Sequence, residues 1–314
     1  MYHLLILEKA STILYLLLLS FLPAFSQVSS IRVTPSPMDI IQEQDSVDQA
    51  QLRVQYHVEF RATKEDCFLS ESMQALDIGN CIVKFFDNSW TYAFSHLPKE
   101  IQERSKWNSD TLMLASSMAR EKSSKYKKDL DVIMRHYHGS DIQTVFRSLD
   151  LDNISSFTQG TKFFYDEPIP QFEWELMDGD TIICGYPCQR ASTSFRGRSW
   201  KVWYALEVPY QEGPWKLRGL PGLILKAEDT NNDFRFTAIE IIQPMGKIIS
   251  KQENENLYSK VSAKRMEEMT VFFYKNPGGY ARMAYGEKLL KTMEMMGQRI
   301  RSDSRTPCLI EKYE

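Results

Sequence analysis

No sign of charge dominates this chain. Its 38 Lys and Arg stand against 41 Asp and Glu, a formal net charge of −3, and the basic residues are interspersed with acidic ones. The electrostatic footprint of a nucleic-acid binder is therefore missing. Histidine is scarce, with five in all. There is no Gly-x-Ser-x-Gly elbow, no His-Glu-x-x-His pair and no glycine-rich phosphate loop ahead of a helix, so no local catalytic signature stands out. Cysteine is also sparse and odd in number, five, which leaves at least one thiol unpaired within the chain. The spacing of CGYPC (184–188) is not that of a zinc clip. Neither a metal nor a cofactor is expected.

The one long hydrophobic run lies at the N-terminus, where a Leu-rich stretch follows Lys9 and ends in Ala24, Phe25 and Ser26. Glu8 and Lys9 interrupt it, and the remainder is shorter than the ~20 apolar residues of a membrane span. Small residues before position 27 predict a signal peptide over 1–26, cleaved after Ser26, and hence an exported protein of the periplasm or outer membrane. No later segment is apolar enough to span a bilayer, and the mature chain, 27–314, reads as one domain. Export permits disulfides. Cys67 to Cys81, closing a short loop, is the economical pairing; Cys184 and Cys188, on a stretch read as extended, stand roughly 13 Å apart and do not pair unless Gly185 and Pro187 bend the chain sharply.

Period-two alternation marks the strands. Leu52, Val54, Tyr56, Val58 and Phe60 alternate with polar residues, and Ile82–Phe86 follows a turn at Gly79-Asn80. From Phe163 a series of short strands recurs, among them SWKVWYALEV, LILKAED and DFRFTAIEII, the last two joined by a hairpin turn at 229–233. The phase of the last breaks beyond Ala238, which predicts a bulge or the strand's end there. Between the two β-rich regions, 98–138 reads as a helical insertion capped near Asn108, on which His136 and His138 diverge. Two further helices, 255–274 and 282–300, are split by Asn276-Pro277-Gly278-Gly279. Met283, Met293, Met295 and Met296 on the second either line a lipophilic site or fill core gaps. The fold class is α+β: an antiparallel β-meander, a curved open sheet or half-barrel, with flanking helices.

Within GPWKLRGLPGLIL (213–225), Pro221 and Gly222 occupy the second and third positions of a turn, which predicts type II geometry with positive φ at Gly222. The turn launches Leu223, Ile224 and Leu225, apolar on both faces like a strand covered from two sides. Upstream, Arg196 and Arg198 flank Gly197 at a predicted hairpin tip. Beside Trp200, Trp203 and Trp215 they either clamp an anionic ligand or pair with internal acids such as Glu207, Glu212 or Asp229.

These stretches resemble the GLPGLI family of Bacteroidota, whose signature is complete here at Gly219, Leu220, Pro221, Gly222, Leu223 and Ile224. The likeness extends to Glu167-Pro168-Ile169-Pro170 with Trp174, to 185–191 with Cys188 at the family's usual cysteine, to Phe195–Arg198, to Gly213-Pro214-Trp215 and, more weakly, to 76–86 and 306–314. Cys184 stands where an aliphatic residue is usual, and 98–137 is longer than the family norm. The resemblance implies a cell-envelope protein and no established activity, so no catalytic residue is carried over. Two functions remain open beside an unsigned enzyme. One is a binding protein for a hydrophobic small molecule or lipid; the other is an interaction subunit of an outer-membrane assembly with 213–222 as its docking edge.

Overall fold

The computed structural model describes residues 46–105, 108–126, 132–149, 161–243, 248–250, 257–295 and 303–313. The leader expected over 1–26 lies outside them. Among the described residues, no helix is long and apolar enough to cross a membrane.

Two meanders share one sheet. The first comprises β1 (Ser46–Phe60), β2 (Ser70–Gly79), β3 (Ile82–Asp87), β4 (Val132–Tyr137), β5 (Ile142–Ser148) and β6 (Lys162–Pro168). The second comprises β7 (Glu175–Ile183), β8 (Tyr186–Phe195), β9 (Arg198–Ala205), β10 (Leu223–Asp229) and β11 (Phe234–Ile242). Antiparallel pairing of β1 with β11 joins them into the order β13-β6-β5-β4-β3-β2-β1-β11-β10-β9-β8-β7, an open sheet with two free ends. The short β13 (Ser259–Lys260) adds a parallel pair to β6, and β12 (Ile248–Ser250) pairs with β1.

Alternation decides the buried face. Val54, Tyr56 and Val58 of β1, Val202 and Tyr204 of β9 and Phe236 of β11 join one continuous core. Where the phase was expected to break, Tyr56 pairs with Ala238 while Gln55 pairs with Glu240, so Ile239 is the extra residue of a bulge. Strand β10 lies inside the sheet, and its Leu223, Ile224 and Leu225 are fully buried.

Among the described residues, five helices complete the fold. α1 (Ser89–Ser95), α2 (Lys99–Ser105) and α3 (Ser109–Ser123) interrupt the β3–β4 connection. Asn108 caps α3 by accepting from the Thr111 amide at 2.9 Å. The helical reading of 98–138 overran: Val132–Tyr137 is a strand, not helix. Four of its six residues are buried, polar Arg135 and His136 among them, so no polar alternation betrays it. α4 (Ala263–Lys275) and α5 (Pro277–Met295) close over the sheet through Met266, Met269, Phe273 and Tyr280. Asn276 separates them, its side chain accepting from the Gly279 amide with Pro277 in the first helical position. The methionines of α5 fill no core where described: Met283 is 54% and Met295 80% exposed, while Met296 and the Met293 side chain lie outside the described set.

Three local readings are corrected. Cys67 and Cys81 are free, exposed thiols rather than a disulfide. Cys184 is not on an extended stretch: with φ of 51° and 83°, Cys184 and Gly185 form the tight turn of the β7–β8 hairpin. Nor does Gly222 adopt positive φ; Gly219 does, at 92°. Gly222 is required by close approach instead, since a Cβ there would lie 2.1 Å from the Ala205 carbonyl oxygen.

Candidate functional site

Strand alternation divides the five aromatic and arginine residues singled out above. Trp200 points inward and packs against Trp215 and Phe236, with ring centroids 5.6 and 6.2 Å apart. Trp215 is buried too. Trp203, one strand position away from Val202, takes the opposite face, where Lys226 and Arg190 lie over its ring. The depression around it is open and lined by charges already matched to each other, Lys226 with Glu228 and Arg235 with Glu59 and Glu228. The set is therefore divided between the two faces of the sheet.

Arg196 and Arg198 meet internal acids. The β8–β9 tip is formed by Arg196 and Gly197, with φ of 44° and 80°, and both guanidinium groups face the C-terminal segment 303–313. Arg198 binds Asp229 at 2.5 Å and Asp233 at 3.1 Å, and donates from Nε to the Leu309 carbonyl. Of the partners anticipated from sequence, only Asp229 is used by this pair; Glu212 instead joins Arg218 and His136.

Arg196 enters a buried ionic cluster. The Lys216 side chain is 0% exposed, and its Nζ lies 2.5 Å from an oxygen of Glu167 and 2.5 Å from one of Glu311. Arg196 bridges the same two carboxylates at 2.8 and 2.6 Å. Gln143 and the Tyr313 hydroxyl donate to Glu167, both at 2.9 Å. Two cations and two anions balance, which is the condition for burying them. Burial opposes ionisation of Glu167, but Lys216 and Arg196 outweigh it and hold its carboxyl below the usual range. Burial, with the neighbouring acids, pushes the Tyr165 and Tyr313 hydroxyls far up, so both stay protonated.

The GPWKLRGLPG segment makes this cluster possible. Residues 212–217 are buried against the sheet, Trp215 in a left-handed conformation at φ 54°. A Cβ on Gly213 would lie 2.6 Å from the Leu217 carbonyl oxygen, so only glycine lets the loop fold this tightly. The segment thus carries Lys216 inward, while Gly219 and Pro221 stay exposed.

A cleft of about 60 Å³ lies beside the cluster, between β5 and β6, α4 and the C-terminal segment. Apolar walls come from Phe60, Phe234, Met266 and Ile310, and polar groups from Arg147, Tyr165, Glu267, Glu311 and Tyr313. Sequence reasoning missed Glu167, Lys216, Glu311 and Arg147 as site residues. Glu167, Lys216 and Glu311 stood within quoted stretches, but nothing local joins them.

Ser95 and three of the cysteines are held at rest. Ser95 Oγ lies 3.2 Å from His96 Nδ1, yet Nδ1 also faces the Tyr92 carbonyl at 2.8 Å. It must donate there, so it is not the base for Ser95. Burial raises the thiols of Cys184 and Cys308 and pushes that of Cys188 up to about 11, away from the reactive thiolate.

No family model matches the chain, and no curated protein matches it. Among solved structures, two of PNGF-II, from different crystal forms, are similar to it. One has 14% identity and a TM-score of 0.41, covering 70% of this chain and 32% of that one; the other has 13% and 0.40, covering 70% and 33%. The chain spans about a third of the length of those structures' chains.

Proposed function

We propose that this chain is an exported cell-envelope protein of the GLPGLI type, with an α+β half-barrel fold, that acts by binding an apolar small molecule or lipid. One observation carries the reading: the cleft beneath α4 joins apolar walls to a few polar groups, the composition of ligand sites. The core between Trp200 and Phe236 is filled, so the ligand does not lie within the sheet's curvature. At about 60 Å³ the cleft takes one end of a ligand, a few atoms in size, rather than a whole lipid.

Native mass spectrometry of the chain purified from a bacterial periplasm tests this. A low-mass adduct is expected on the wild type and its loss from a folded Met266→Trp variant, in which the indole fills the cleft. An adduct unaffected by that substitution, or none at all, would refute the cleft.

A second reading, as an interaction subunit of an outer-membrane assembly, is favoured by the terminal strand β7, where Leu176 and Ile182 are 73% and 74% exposed. A co-purified protein would favour it.

A further inference from the structure

Every other arginine facing the core side of this region has an acid. Arg61 pairs with Asp233, Arg196 with Glu167 and Glu311, and Arg198 with Asp229. Arg147, on β5, has none among the described residues. It is half-buried, its Nε is shielded from solvent and without a hydrogen-bond partner, and among the described residues its guanidinium makes no hydrogen bond or ion pair. It shares its strand face with buried Val145 and with Gln143, which donates to Glu167, and it lines the cleft beneath α4. Withdrawing a guanidinium from water without giving it an acceptor is unfavourable, and the group is built to bind a carboxylate with two parallel N–H donors.

A hydroxyl beside it is loosely committed. The contacts of Tyr165 Oη, to Glu311 and to Tyr313, are both 3.4 Å, long for O–H···O bonds. A protonated phenol so placed can re-aim at an arriving oxygen.

We propose that Arg147 is an anion-binding group which receives the carboxylate of a small amphiphilic ligand, whose apolar body lies against Phe60, Phe234 and Met266. The assignment rests on the cleft reading above and names the ligand's chemical class. Two acids border the cleft: Glu311, neutralised by Lys216 and Arg196, and Glu267, which accepts from the Tyr313 amide. Their presence favours a ligand of single negative charge over a dianion such as phosphate, because each added charge meets both carboxylates.

The test titrates hexanoate, hexan-1-ol and inorganic phosphate into the full chain by calorimetry, with Arg147→Met as the variant. Methionine keeps the apolar stem and removes the charge. Hexanoate is expected to bind at least tenfold more tightly than hexan-1-ol, and phosphate more weakly than hexanoate. In Arg147→Met the two six-carbon probes should bind alike, at the wild-type affinity for the alcohol. The variant should also melt no lower than wild type, because an unpaired cation has been removed. Equal binding of acid and alcohol to the wild type, or an undiminished preference in the variant, overturns the role of Arg147 and leaves the cleft standing. Tighter phosphate binding overturns the ligand class. A variant that melts well below wild type with its hexanoate preference intact shows that Arg147 serves the fold. If neither six-carbon probe binds, the cleft and Arg147 fall together.

Discussion

A methyl group placed on Gly222 would sit 2.1 Å from the Ala205 carbonyl oxygen and 2.6 Å from its carbon, both backbone atoms of the neighbouring strand. No rotamer relieves that contact, so β9 and the turn must separate. At Gly219 the nearest atom to an added Cβ is Trp174 Nε1 at 3.8 Å, and only the positive φ of 92° resists substitution. Gly222→Ala is therefore expected to cost about 3 kcal/mol or more, as overpacking against backbone does, and Gly219→Ala about 1–2 kcal/mol of conformational strain. Urea denaturation of the two variants checks the order. A smaller loss at 222 than at 219 would mean that the close approach to Ala205 is not maintained in solution.

At the scale of elements, the C-terminal segment is tied to the sheet by backbone hydrogen bonds such as Cys308 to the Ala62 carbonyl, by buried Ile310 and by charge. Its Glu311 completes the cluster with Lys216 and Arg196, across 95 and 115 residues of chain. Removing one member of such a set leaves the others buried without compensation, so Lys216→Met should lower stability by about 3–5 kcal/mol. The pH dependence has a definite sign. The Glu167 carboxyl is lowered from its ordinary 4.5 in the folded protein, so the unfolded chain binds its proton more readily. Its stabilisation is complete above that value and is lost as pH falls below it and through the folded value. Urea midpoints measured from pH 7 to pH 3 should decline below about pH 4.5, and more gently in Glu167→Gln; parallel profiles would remove Glu167 from the account. These long separations also explain what the sequence could convey. β1, β9, β10 and β11 were legible because one polar face, or none at all, leaves a pattern within a few residues. β4 and β5 were not, since Arg135, His136 and Gln143 are polar and buried. The partners of Arg196 were illegible because Glu167 and Glu311 are brought to it by topology alone. The bulge beyond Ala238 was legible because a one-residue slip inverts every later side chain.

Across the whole molecule the apolar interior is not one body. The principal core runs through both meanders and α4–α5, whereas Phe94, Leu97, Ala115 and Ala119, with Trp90, Ile101 and Met118, form a separate small cluster among α1, α2 and α3. Leu114 and Met113 of α3 are exposed, so that helix buries little beyond its two alanines. A unit that shares few buried residues with the sheet can open without breaking it, at a free energy below that of global unfolding. Native-state hydrogen exchange should show the amides of α1–α3 exchanging at least tenfold faster than those of β1, β10 and β11. Low denaturant should also leave the helical amides' rates nearly unchanged, because local opening exposes little surface. Protection in α3 equal to that of β10 would show instead that the helical excursion between β3 and β4 unfolds only with the sheet, and that packing beyond its own small cluster holds it.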